Sequence, residues 1–198
     1  VDGGCSMSEP IRSFTTAVPY WRPRITPLDI EEASDEQLEA MKVTTSDTKI
    51  GEFTLVLALD PETLLHFTPL LNRIMSGQGG LSRPETELGA VSASVVNRSI
   101  YCAAAHSDRY NQLTKDDAVM ESIFSSGEAA DISPRQKALL LFSSKLSKCP
   151  SEATKADVER LSDNGLDMDE VLDLVFAASL FSWVNRLSHV LGDPLAQS

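Results

Sequence analysis

Residues 82–106 read SRPETELGAVSASVVNRSIYCAAAH, and how this stretch folds decides the architecture of the chain. Ser82 and Glu85 have the spacing of a capping box, with Pro84 in the first turn, so a helix starts here and runs towards Asn97. Ser99 then offers a second N-cap. Two helices joined at Asn97–Ser99 fold back on one another as an antiparallel hairpin. With Ser99 as cap, Cys102 falls in the first turn of the second helix, near unpaired backbone amides and the positive end of the helix dipole. His106 follows at i+4 on the same face. Glu87 lies ten residues before the connection and His106 seven after it. At about 1.5 Å per residue their depths are roughly 15 and 10 Å, a gap that two side chains and one water span. Glu87, His106 and Cys102 then form a proton relay climbing towards the connection.

Helix signals extend outward on both sides. Ser34 begins them. Asp60-Pro61-Glu62 opens a helix with apolar residues from Leu64 to Ile74, interrupted by Pro69 and ended by Gly77, Gly79 and Gly80. Thr114 reads as the cap of a helix through Phe124. Ser133-Pro134-Arg135-Gln136 repeats the cap pattern ahead of Ala138–Phe142, with Pro150 beyond its end. Thr154 to Leu161 is a short amphipathic helix closed by Asn164-Gly165. Asp167 to Glu170 opens the longest apolar segment, Val171 to about Leu191, followed by Gly192. No alternating strand run outcompetes these helices; Phe53 to Leu59 comes nearest. The expected fold is all-α: one helical domain over 29–198, with its motif at 87–106, preceded by an extended arm over 1–28. Pro10, Pro19, Pro23 and Pro27 keep that arm extended, and Tyr20-Trp21 equips it to dock on its own domain or on a neighbouring subunit. Met7 reads as the natural start, with the first six residues added ahead of it.

Composition narrows the partners. A formal charge of −12 over 198 residues disfavours nucleic acid and anionic membrane, both of which require cationic surface. No run approaches the roughly 20 apolar residues of a membrane span. Cys5, Cys102 and Cys149 are odd in number and widely spaced, unlike a secreted disulfide scaffold, so a cytoplasmic location is expected. Three scattered histidines supply no paired metal-ligand spacing.

Thiol chemistry needs a sulfur to attack, a base to ionise it and a carboxylate to orient the base, which Cys102, His106 and Glu87 provide. The cap position and His106 lead us to expect a Cys102 pKa below that of free cysteine, and the most reactive of the three thiols. The same residues also read as plain core, with Cys102 a small side chain among Ala103, Ala104 and Ala105. His66 and His189 read as core or surface residues, and Cys149 as inert. Tyr101 either lines a pocket or packs. Arg186, on an apolar helix, is expected to be buried with a carboxylate partner and to brace the helices around the motif.

Glu87, Ser99-x-x-Cys102-x-x-x-His106 and the adjoining Val95-Val96-Asn97-Arg98 resemble the alkylhydroperoxidase D-like, carboxymuconolactone decarboxylase superfamily, and its peroxidase-related branch in particular. The segment Phe181-Ser182-Trp183-Val184-Asn185-Arg186-Leu187 is similar to that branch too. The family pattern is Glu followed by Cys-x-x-Cys-x-x-x-His. The resemblance implies an all-α bundle assembled as trimers or hexamers, with Cys102 as the peroxidatic sulfur, His106 and Glu87 as base and relay, and no cofactor. Ser99 replaces the resolving cysteine and is left as cap and hydrogen-bond donor. A hydroxyl forms no disulfide, so an external thiol reductant, Cys149 or another subunit has to resolve the oxidised sulfur. Reduction of a small hydroperoxide is the leading expectation. The alternatives are a lyase or isomerase resembling carboxymuconolactone decarboxylase that uses His106 and Glu87, and a non-catalytic oligomeric relative.

Overall fold

The computed structural model describes residues 9–42 and 50–196. Cys5, Met7 and the first six residues lie outside them. The described chain is helical apart from one small sheet. In order it contains β1 (Tyr20–Pro23), α1 (Asp35–Met41), α2 (Glu52–Leu57), α3 (Pro61–Ser76), α4 (Arg83–Val96), α5 (Ile100–Thr114), α6 (Ala118–Ser126), α7 (Pro134–Ser147), α8 (Lys155–Asp163), α9 (Met168–Leu191) and β2 (Gly192–Leu195).

Caps set most of these boundaries. Reciprocal capping boxes open α1 at Ser34, α4 at Ser82, α7 at Ser133, α8 at Thr154 and α9 at Asp167. Asp60 caps α3, which continues through Pro69 and stops at Gly77. One boundary differs from the sequence reading. Thr114 does not start a helix but ends α5, and Asp117 occupies the cap position of α6. The Thr114 hydroxyl donates to the Tyr110 carbonyl one turn back, an alternative that threonine offers a helix end.

α4 sits at the centre and is buried without interruption from Thr86 to Ser94. One of its faces sends Leu88 and Val91 into a core with Met120, Ile123, Leu139, Leu140, Leu161 and Leu174. Another sends Ala90 and Ala93 into a second core with Leu64, Phe67, Cys102, Ala177, Ala178 and Phe181. Small residues matter here, because a Cβ on Gly89 would lie 3.0 Å from Leu174 Cδ1. Arg135 ties the starts of three helices together, reaching Glu85 at 2.5 Å and Glu170 at 2.6 Å. α9 is long and apolar enough by length and composition to cross a membrane, which the sequence reading had not recognised. Its Val171, Leu174, Ala177, Ala178, Phe181 and Val184 are instead buried against the other helices.

The N-terminal arm docks on its own domain. β1 pairs antiparallel with β2, in the register Tyr20 to Leu195 and Trp21 to Pro194. Trp21 is buried, donates from Nε1 to the Ser188 carbonyl at 3.3 Å, and meets the edge of Phe53. Arg24 adds an ion pair to Asp193 at 2.6 Å. The all-α expectation holds, with one two-stranded addition: proline keeps the arm extended, and β2 pairs with it.

Candidate active site

α4 and α5 form the expected hairpin. Arg98 makes the reversal with φ at 55°, and the Ser99 amide donates to the Ser94 carbonyl at 2.9 Å. α5 starts at Ile100, so Ser99 is its N-cap residue and Cys102 its third position. The Ser99 side chain makes no capping bond to the helix amides. Its hydroxyl serves the Cys102 sulfur instead, joined there by the hydroxyl of Ser188 from α9.

Glu87 and His106 meet directly. Glu87 is 1% exposed, and its Oε2 lies 2.5 Å from His106 Nδ1, so the water allowed for by helix arithmetic is not needed. The other carboxylate oxygen accepts from Arg83 Nη2 at 2.6 Å. A buried carboxylate with both oxygens engaged has its desolvation offset. It also fixes the imidazole: Nδ1 carries the proton donated to Glu87, which leaves Nε2 as the basic nitrogen. The Phe181 ring stands edge-on to the imidazole at 4.2 Å between centroids and holds its plane.

Cys102 and His106 line one cavity of about 250 Å³. Its walls are apolar, built from Phe53, Leu57, Leu64, Phe67, Phe181 and Val184, with Tyr101 and Ser188 near the sulfur. Trp21 backs Phe53 and Tyr101 from outside. No lysine or arginine lines this space.

The thiol's ionisation runs against the sequence expectation. Burial pushes the Cys102 pKa up, and the hydroxyls of Ser99 and Ser188, which favour the thiolate, only partly offset it. The helix-start position was read correctly, but the closure of the cavity by α2, α3 and α9 was not visible locally. Cys149, by contrast, is exposed after the end of α7 and lies outside the cavity. Among the described residues, no three His, Cys, Asp or Glu side chains converge as a metal site.

The sequence profile of the carboxymuconolactone decarboxylase family matches residues 61–142, the span from α3 to α7 that contains Glu87, Ser99, Cys102 and His106. The chain is also similar to the alkylhydroperoxidase AhpD core of an uncharacterized peroxidase-related protein from Ralstonia eutropha JMP134, at 26% identity and a TM-score of 0.75, covering 88% of this chain and 92% of that one. The match over residues 61–142 and the shared fold support the alkylhydroperoxidase D-like, carboxymuconolactone decarboxylase superfamily. A second similar structure, that of an uncharacterized peroxidase-related protein from Silicibacter sp. TM1040, is 26% identical with a TM-score of 0.72, covering 96% of each chain. The debrominase Bmp8 shares the superfamily fold at 14% identity and a TM-score of 0.73, covering 88% of this chain and 92% of that one. No curated protein matches the sequence.

In the structure the four motif residues converge as the spacing required, and two further side chains join them. Arg83 stands at i−4 to Glu87, a spacing visible in the sequence. Ser188 had no local signal, since nothing near it in the sequence points to α5. Arg186 corrects another expectation. It is exposed and donates to the Ser182 carbonyl of its own helix, while Asn185 is the buried polar residue and accepts from Ser94 at 3.1 Å. The α9 apolar stripe placed Arg186 one position too close to the core. His66 and His189 are both exposed, and His189 Nε2 donates to the Asn97 carbonyl at 2.8 Å.

Proposed function

We propose that the protein is a single-cysteine thiol peroxidase acting on small hydroperoxides. The observation that carries this reading is the Arg83–Glu87–His106 chain of contacts, ending at an imidazole that shares one apolar cavity with Cys102. Similarity to peroxidase-related proteins supports it. His106 Nε2 accepts the thiol proton as the peroxide enters, and Glu87 stabilises the imidazolium through Nδ1. Cys102 Sγ attacks the terminal peroxide oxygen and the O–O bond breaks. The leaving alkoxide takes the proton back from His106, giving an alcohol and Cys102 sulfenic acid. Such a base matters more when burial holds the resting thiol protonated. Ser99 donates to the sulfur and cannot resolve it, so an external thiol completes the cycle. A cytoplasmic setting, where thiols stay reduced, suits that chemistry.

A thiol-specific sulfenic acid trap tests the reading. One equivalent of an alkyl hydroperoxide should label Cys102 alone, and His106→Asn should slow labelling by about 10²–10⁴-fold. Undiminished peroxide consumption by Cys102→Ala would overturn it. The raised pKa of Cys102 favours a second reading, a lyase or isomerase in which His106 and Glu87 move protons on a small organic acid. The absence of arginine and lysine from the cavity lining weighs against an anionic substrate there. Substrate-dependent proton exchange surviving in Cys102→Ala would support that alternative.

A further inference from the structure

A second cavity, of about 260 Å³, lies against the first near the start of α5. Tyr101 and Ser188 line both. Ser99, whose hydroxyl touches the Cys102 sulfur, lines only the second. The two spaces differ in chemistry. The first is apolar, whereas Arg12, Arg24 and Arg98 all face the second, with Asp193 as its one carboxylate. That carboxylate is already occupied, since Arg24 holds it at 2.6 Å and Arg22 at 3.5 Å. The guanidinium groups of Arg12 and Arg98 make no hydrogen bond or ion pair with another described residue. In a chain of net charge −12, Arg12 and Arg98 thus place two positive charges at one small cavity.

We propose that this second cavity binds an anionic, carboxylate-bearing low-molecular-weight thiol, the reductant that restores Cys102. The inference rests on the thiol peroxidase reading and adds the class of the second substrate to it. A charged thiol has no cation to meet in the apolar cavity. It finds Arg12 and Arg98 in the polar one, and its sulfur then approaches Cys102 from the side where Ser99 stands. The thiol attacks the sulfenic sulfur, forming a mixed disulfide and releasing water. A second molecule of the same thiol attacks the mixed disulfide, freeing Cys102 as a thiol and leaving as the small-molecule disulfide.

The test separates binding from turnover. S-methylglutathione, which has the carboxylates but no free thiol, is titrated calorimetrically into the unoxidised protein. Binding is expected, weakening about tenfold or more in an Arg12→Ala, Arg98→Asn double variant and falling as salt is raised. Asparagine is chosen at 98 because it tolerates the positive φ there. Preformed Cys102 sulfenic acid should be reduced faster by glutathione than by neutral 2-mercaptoethanol. The double variant should lose that preference while forming sulfenic acid at the unaltered rate. Absence of binding, or binding indifferent to both arginines, overturns the proposal, as does binding without preferential reduction. If peroxide yields no sulfenic acid at all, the peroxidase reading falls and the reductant role with it. The calorimetry uses no oxidation and reports on the cavity separately.

Discussion

Cys102 is held between opposing influences: burial raises its pKa, while two hydroxyls favour its ionised form. In the resting protein burial prevails. Iodoacetamide should therefore modify exposed Cys149 before Cys102 at neutral pH, and Cys102 alkylation should keep rising with pH beyond the ordinary cysteine value. A Cys102 rate half-maximal below that value would contradict the burial argument. Ser99 permits a sharper experiment, since its side chain already reaches the sulfur. Ser99→Cys should form a 99–102 disulfide under mild oxidation, seen as a loss of two mass units, and should protect Cys102 from sulfinic acid under excess peroxide. If both thiols stay accessible and no bridge forms, the helix start is misplaced. Glu87, Ser99, Cys102 and His106 were legible in the sequence because two caps and a short connection set their depths. The pKa direction was not, because it depends on residues from α2, α3 and α9 that no local spacing connects to α5.

Among the elements, the helices were legible wherever a side chain caps the backbone, and least so at Thr114, where cap and helix-end roles compete. The pairing of β1 with β2 was invisible, since Gly192 to Leu195 is a short run with no alternating pattern. It depends on one glycine. A Cβ on Gly192 would stand 2.3 Å from Trp21 Cε2 and 2.7 Å from the Arg22 carbonyl oxygen, so the strand approaches closely only without a side chain. Gly192→Ala should displace Trp21, destabilise the fold by about 1–3 kcal/mol and red-shift tryptophan emission. It should also speed alkylation of Cys102, because Trp21 backs the cavity wall. Unchanged melting and emission would show that the strand absorbs the methyl group without moving the ring.

For the whole molecule, a homo-oligomer is expected on two grounds, the aromatic arm equipped to dock on a neighbouring subunit and the apolar side chains that α3 and α9 leave exposed. The arm now has an intramolecular explanation in buried Trp21. The second ground is a patch of exposed apolar side chains: Leu70 on α3 and Phe176 on α9 are each 52% exposed, and Trp183 is 42% exposed beside Phe67. Sedimentation should show an oligomer at micromolar concentration, and a stable monomer there would contradict this. The sheet that joins arm and tail also orders events in time. Trp21 and the Ser188 carbonyl it bonds are 167 residues apart, and β1 finds its partner only in Gly192–Leu195. A ribosome delivers the arm before β2, on the order of ten seconds apart at about 5–20 residues per second. From the time α5 is complete until β2 follows, the helical hairpin bearing Cys102 is present while the wall that shelters it lacks its backing. The wall over the thiol gains its backing only once β2 has joined the arm.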